Sequence, residues 1–223
     1  MKALPLSRTR RIAVVSLFTA LATATDYAMF PLSNVKLMDS IVFVSALAFG
    51  LPVGVAVGGL TWLVYGSINP LGAAGGPLLV ILMCSEAIYA LLGSVARRML
   101  GFDESGIPVR SILWGSLGLI GAFLYDISTI VAPSLVIGEP TKVALASLLP
   151  AAPFMVAHEA SDFVFFALAA PAFYAAIRRV MRLGHGRPGV DILGAALPDP
   201  VARSAASADG PPASGEDKVT AST

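Results

Sequence analysis

A helix crosses the apolar core of a bilayer with roughly 20 mostly apolar residues. This chain offers six such stretches in succession, at about residues 11–30, 37–51, 53–69, 77–99, 111–132 and 153–180. With 56% hydrophobic and 13% charged residues, its make-up is far from that of a soluble globular domain. The reading is an all-α membrane protein with six transmembrane helices in one compact bundle. The second and third stretches are short, with only Gly50, Leu51 and Pro52 between them. Pro31, Pro70, Pro77, Pro133 and Pro153 fall near the expected ends, where a missing N–H does least harm.

Orientation follows from lysine and arginine, because basic flanks stay cytoplasmic. Lys2, Arg8, Arg10 and Arg11 precede the first stretch; Arg97, Arg98 and Arg110 flank the loop after the fourth; Arg178, Arg179 and Arg182 follow the sixth. Six crossings put all three clusters on one side and leave Lys36 and Lys142 on the other. The expectation is a multi-pass cell-membrane protein with both termini cytoplasmic. RTRRIAVVSLF followed by ALATA also resembles a signal peptide. However, the apolar run continues to Phe30, and its removal would leave an odd number of crossings against the charge pattern, so the first stretch is expected to stay.

The expected organisation is a cytoplasmic segment over 1–10, a membrane domain over 11–182 and a disordered cytoplasmic tail over 183–223. The tail is rich in Gly, Pro, Ala and Ser and cannot bury enough apolar surface to offset its ordering entropy. No internal repeat of the kind common in secondary transporters is evident. The single cysteine, Cys84, excludes a disulfide framework or a CxxC metal site.

Ionisable residues within spans are rare and by default mark function. Here they are Asp26 in the first, Glu86 in the fourth, Asp126 in the fifth, and His158, Glu159 and Asp162 in the sixth. Asp26 and Asp126 come about 22 Å along outward-running helices, whereas the others come about 7–15 Å from the outer ends of inward-running ones. All lie in the outer half, which describes a pocket open to the outside. Tyr89, one turn from Glu86, together with Tyr125, Tyr65 and Asn69, adds rings and hydrogen-bonding groups. The first outer loop, PLSNVKLMD, brings Asn34, Lys36 and Asp39 beside the mouth. The same acids could instead hold helices together through interhelical polar contacts.

Ser16, Ala20, Ala24 and Ala28 recur every four residues along the first helix. They form a stripe of small side chains that permits close helix contact, about 200° around the helix from Asp26.

The extended alanine stripe and the block ALAFGLPVGVAVGGLTWLVYGSINPLG resemble the substrate-binding S components of energy-coupling factor (ECF) vitamin transporters. The likeness covers roughly residues 10–182. It implies a six-helix bundle that binds a vitamin-like molecule near its outer surface. It also implies that Ala20, Ala24 and Ala28 contact a transmembrane coupling subunit, and that two ABC ATPases drive uptake. The chain has no G-x-x-x-x-G-K-[ST] loop, so ATP hydrolysis is expected in those partners and the chain itself is expected not to be an enzyme. Glu86 is similar in placement to a glutamate used by thiamine-binding members, and Lys2 in place of a histidine argues against nickel or cobalt as cargo. No cofactor and no nucleic-acid partner is expected. The substrate-binding set expected from the pocket is Asp26, Asn34, Lys36, Asn69, Glu86, Tyr89, Tyr125, Asp126, His158, Glu159 and Asp162.

Three other readings compete. AHEASDF is a variant of H-E-x-x-H, in which two ligands one turn apart hold zinc and the glutamate activates water. An intramembrane metalloenzyme would then need a third ligand from Asp26, Glu86 or Asp126. An ion-coupled small-molecule carrier also uses buried carboxylates. A structural membrane subunit would use the same acids for stability alone.

Overall fold

The sharpest break in the apolar chain comes at Gly50, whose φ of 107° is open to glycine and strained for any side chain. In the computed structural model, which describes residues 6–70, 72–99 and 107–185, this glycine separates two helices. It closes α2 (Met38–Phe49) and opens α3 (Leu51–Ser67), with Pro52 in the first turn of α3, where its missing N–H had no partner to lose. The remaining helices are α1 (Arg8–Met29), α4 (Gly76–Met99), α5 (Ile107–Val136), α6 (Thr141–Ala146) and α7 (Leu148–His185). There is no strand among the described residues. Residues 6–181 belong to one unit, and the described part of the second, 182–185, is the end of α7.

Four helices, α1, α4, α5 and α7, are long and apolar enough to cross a membrane. The chain is all-helical in these residues and has the character of a membrane protein. Surface residues such as Leu17, Leu91, Ile112, Phe123 and Leu168 are exposed and apolar, a surface suited to hydrocarbon rather than water. α2 and α3 have 12 and 17 residues, about 18 and 26 Å at the helical rise. Every residue of α2 is buried, so protein surrounds this short helix.

The expected boundaries shift where proline was taken as a stop. α5 runs past Pro133 to Val136, α7 begins five residues before Pro153, and Pro171 also lies inside α7. In apolar surroundings neighbouring groups can take over the carbonyl that a proline leaves without a donor. The loop expected between the fifth and sixth spans contains α6 and the first turn of α7. Most of the expected tail lies outside the described residues; its first three, 183–185, continue α7.

The core is set by close approach of α2, α3 and α4. A Cβ on Gly54 would lie 2.5 Å from Ala46 Cβ and 2.9 Å from Ala90 Cβ, so only hydrogen fits where the three helices meet. Arg97 of α4 donates to the Ala46 carbonyl near the end of α2 at 3.2 Å, a favourable place for a cation. By contrast, a Cβ on Gly59 would meet Met83 Cε at an ordinary 3.8 Å. Gly54→Ala is therefore expected to destabilise the protein by about 1–3 kcal/mol through overpacking. Gly59→Ala should be neutral or slightly stabilising, since alanine is the better helix former. Thermal melts of the detergent-solubilised variants check this pair, and an unchanged midpoint in Gly54→Ala would show that the three helices can separate freely.

Candidate functional site

Three of the polar positions stand at the same distance from a helix end. Glu86 is ten residues into α4 (76 to 86), His158 ten into α7 (148 to 158), and Asp126 ten before the end of α5 (126 to 136). At the helical rise each lies about 15 Å in. Because α5 runs opposite to α4 and α7 in this count, antiparallel neighbours bring the three to one level.

His158 is the hub. Its Nδ1 is 2.9 Å from Asp126 Oδ1, and its Nε2 is 2.8 Å from Asp39 Oδ2 and 3.9 Å from Asp162 Oδ2. The Tyr89 hydroxyl donates to Asp162 Oδ2 at 2.8 Å and lies 3.5 Å from His158 Nε2. The i,i+4 spacing places His158 and Asp162 on one face of α7. Four helices, α2, α4, α5 and α7, thus meet at one imidazole. Asp39, His158 and Asp162 are all fully buried, and one ligand atom from each lies within 4.8 Å of the others, close enough to hold a metal ion.

A second group adjoins the first through Tyr125, whose ring centroid is 5.7 Å from that of His158, 5.9 Å from Tyr89 and 6.4 Å from Trp62. The Trp62 and Tyr125 rings are nearly parallel, at 18°. The Lys36 ammonium sits 4.9 Å from both centroids, a cation over two electron-rich faces. Trp62 Nε1 donates to Glu86 Oε2 at 3.0 Å. Tyr65 continues the aromatic wall to Tyr27 of α1, whose hydroxyl ties α1 to the Ile68 carbonyl at 2.9 Å. Asp26 is buried within electrostatic reach of Asp39 and Lys36.

Several buried oxygens keep unmet hydrogen-bonding capacity among the described residues. Both carboxylate oxygens of Asp26 lack a partner, as do Asp39 Oδ1, Glu86 Oε1, Asp126 Oδ2, Asp162 Oδ1 and the Tyr125 hydroxyl. Buried polar groups are normally satisfied. These open acceptors cluster around His158, Glu86 and Asp26.

Of the residues singled out in the sequence, Asp26, Lys36, Glu86, Tyr89, Tyr125, Asp126, His158 and Asp162 come together. Asn69 stands at the edge, hydrogen-bonded to Tyr65. Asn34, at a φ of 59°, spends its amide on the Phe154 carbonyl at 2.9 Å and so fastens the first loop to α7. Glu159 is half-buried and within electrostatic reach of Asp126 and His158, but makes no hydrogen bond to them among the described residues. The ligand arrangement anticipated from AHEASDF changes accordingly: the group beside His158 and Asp162 is Asp39, whereas Asp126 lies on the opposite ring nitrogen. Ala20, Ala24 and Ala28 are exposed, on the side of α1 away from buried Asp26.

Trp62 was not among the expected site residues. Its spacing from Tyr65 and Asn69, three and seven residues on the face that carries them, was the available signal. Asp39, expected in the loop at the mouth, lies instead in the first turn of α2 and is fully buried.

Trp62→Phe should cost about 1–3 kcal/mol of stability by leaving a buried carboxylate without its donor. In a Glu86→Met background the same change should cost distinctly less. Denaturation of the four proteins in detergent measures the cycle, and equal costs in both backgrounds would show that the indole–carboxylate bond contributes nothing. No family model, no curated protein and no solved structure matches the chain.

Proposed function

We propose that the chain is the membrane-embedded substrate-binding subunit of an ECF-type ABC importer, capturing a vitamin or related small heterocycle from outside for ATP-driven uptake. In this reading α1, α2, α3, α4, α5 and α7 make six crossings, with α2 and α3 short because protein encloses them. The basic ends of α1, α4 and α7 lie in the cytoplasm with both termini, and Lys36 and Lys142 lie outside. The observation that carries the reading is the convergence of groups from all six helices and the first loop on a single buried site with unmet hydrogen-bonding capacity. A site made by every helix of a bundle, near one end of it, suits binding of a small molecule that enters from that end.

The chemistry of the walls narrows the ligand. Two nearly parallel rings that already accept the Lys36 ammonium favour a flat or cationic group. The open oxygens of Asp26 and Glu86 favour a cation or a multiple hydrogen-bond donor. A positively charged or amine-bearing heterocycle combines these properties and would take the place of the lysine head group. The coupling subunit would pack on the exposed small-residue face of α1, and two ABC ATPases would complete the assembly.

Mass spectrometry of the complex gently purified from its native membrane tests the assembly. The expected result is a coupling subunit and two ATPases with the parent, strongly reduced for Ala24→Leu because a branched side chain holds the partner helix away. Isolation of the chain alone would overturn the reading. Glu86→Gln should weaken binding of the small molecule released from the parent by about 1–3 kcal/mol. Unaltered affinity, measured by calorimetry, would remove Glu86 from the ligand's contacts.

A further inference from the structure

His158 has an unusual pair of neighbours. A neutral imidazole carries one N–H and one lone pair, yet both ring nitrogens face carboxylate oxygens at hydrogen-bond distance, Asp126 at 2.9 Å and Asp39 at 2.8 Å. If Nδ1–H donates to Asp126, the lone pair of Nε2 points at Asp39 and toward the nearer oxygen of Asp162. A second proton on the ring would relieve this arrangement, and so would a metal ion held between Nε2 and the two carboxylates. Asp39 and Asp162 each retain one oxygen with no partner, although both side chains are fully buried. Three buried aspartates surround one imidazole.

We propose that Asp39, His158 and Asp162 form a binding site for one divalent transition-metal ion of the zinc class. Ligand atoms about 2.0–2.2 Å from a tetrahedral ion stand roughly 3.4 Å apart. The Nε2 distances of 2.8 Å to Asp39 and 3.9 Å to Asp162 bracket that separation. An imidazole nitrogen with two carboxylates selects zinc, cobalt or manganese over calcium and magnesium, which take oxygen ligands. The surrounding groups have the character of an outer shell. Asp126 accepts the Nδ1 proton and holds the ring with Nε2 facing the ion, while the Tyr89 hydroxyl fixes Asp162. The fourth position is open to water or to a donor atom of a bound small molecule. Glu159, which the H-E-x-x-H likeness would make the water-activating acid, makes no hydrogen bond to the three ligands among the described residues, and the assignment is to binding.

The site goes beyond the importer reading, and its test uses neither the organic ligand nor the coupling partners. Zn²⁺ is titrated into the full chain, purified in detergent and stripped with chelator, followed by calorimetry and by elemental analysis after desalting. A Cys84→Ser/His185→Gln background removes the one cysteine and the second histidine as adventitious ligands. One equivalent of zinc should remain bound in that background. Asp39→Asn and Asp162→Asn should each weaken binding at least tenfold, and Asp126→Asn by about 10- to 100-fold through misorientation of the ring. Co²⁺ should give ligand-field absorption bands in the parent that are lost in Asp162→Asn. If an aspartate variant fails to fold, the parent decides alone: absence of both stoichiometric zinc and cobalt bands overturns the proposal. Zinc held equally by the parent and by the folded Asp39→Asn and Asp162→Asn variants overturns it as well.

Discussion

Burying a carboxyl group in a low-dielectric interior is unfavourable unless something compensates it, and five of them are buried around one site in this protein: Asp26, Asp39, Glu86, Asp126 and Asp162. Within the described site, compensation comes from one imidazole, one indole, one phenol and one ammonium. None of these lies on the same helix as the acid it meets at hydrogen-bond distance. The polar network therefore works only when the helices are assembled, and it fixes their relative register. Each acid left alone in hydrocarbon would oppose insertion of its own helix, whereas together they specify which faces meet.

Close packing makes that register attainable. Gly58 lies against Glu86, so close that a Cβ there would come 2.6 Å from Glu86 Cγ, and Gly121 stands in the same relation to the Tyr89 ring at 2.7 Å. Glycine at these two points lets α3 and α5 approach the face of α4 that carries the site. The exposed apolar residues on the outside contribute little to this choice, because lipid tails are as apolar as leucine and do not drive helices together. Specificity comes from steric fit and polar contacts inside, and the outer surface serves mainly as a solvent boundary.

The site also has two chemically distinct parts. Trp62, Tyr125 and Lys36 form an aromatic and cationic part, while Asp39, His158 and Asp162 form a part rich in charge and lone pairs. Tyr125 and Tyr89 touch both parts. A ligand with a flat ring and a donor atom would engage each through its own chemistry, and the first loop, fastened by Asn34 to α7, carries Lys36 over the rings.

Helical class, the approximate limits of the long helices and the identity of most buried ionisable residues were legible in the residues themselves. Apolar run length is a local property set by bilayer thickness, and an acid in such a run stands out wherever its helix packs. The exposed stripe at Ala20, Ala24 and Ala28, turned away from Asp26, was legible for the same reason, since helical periodicity fixes angles around one axis. What the tertiary structure decided was partnership. That Asp39 rather than Asp26, Glu86 or Asp126 completes the group beside His158 and Asp162, that Trp62 donates to Glu86, and that Glu159 makes no hydrogen bond to them depend on which helices adjoin and at what height. The prolines at 133 and 153 mark expected ends because a lone helix loses a hydrogen bond there, whereas in the structure both lie inside helices, as neighbouring groups in a bundle can allow. Local sequence determined where polar groups occur along each helix. Only packing among all of them decided which groups meet, because that choice minimises unpaired charge and steric overlap over the whole bundle at once.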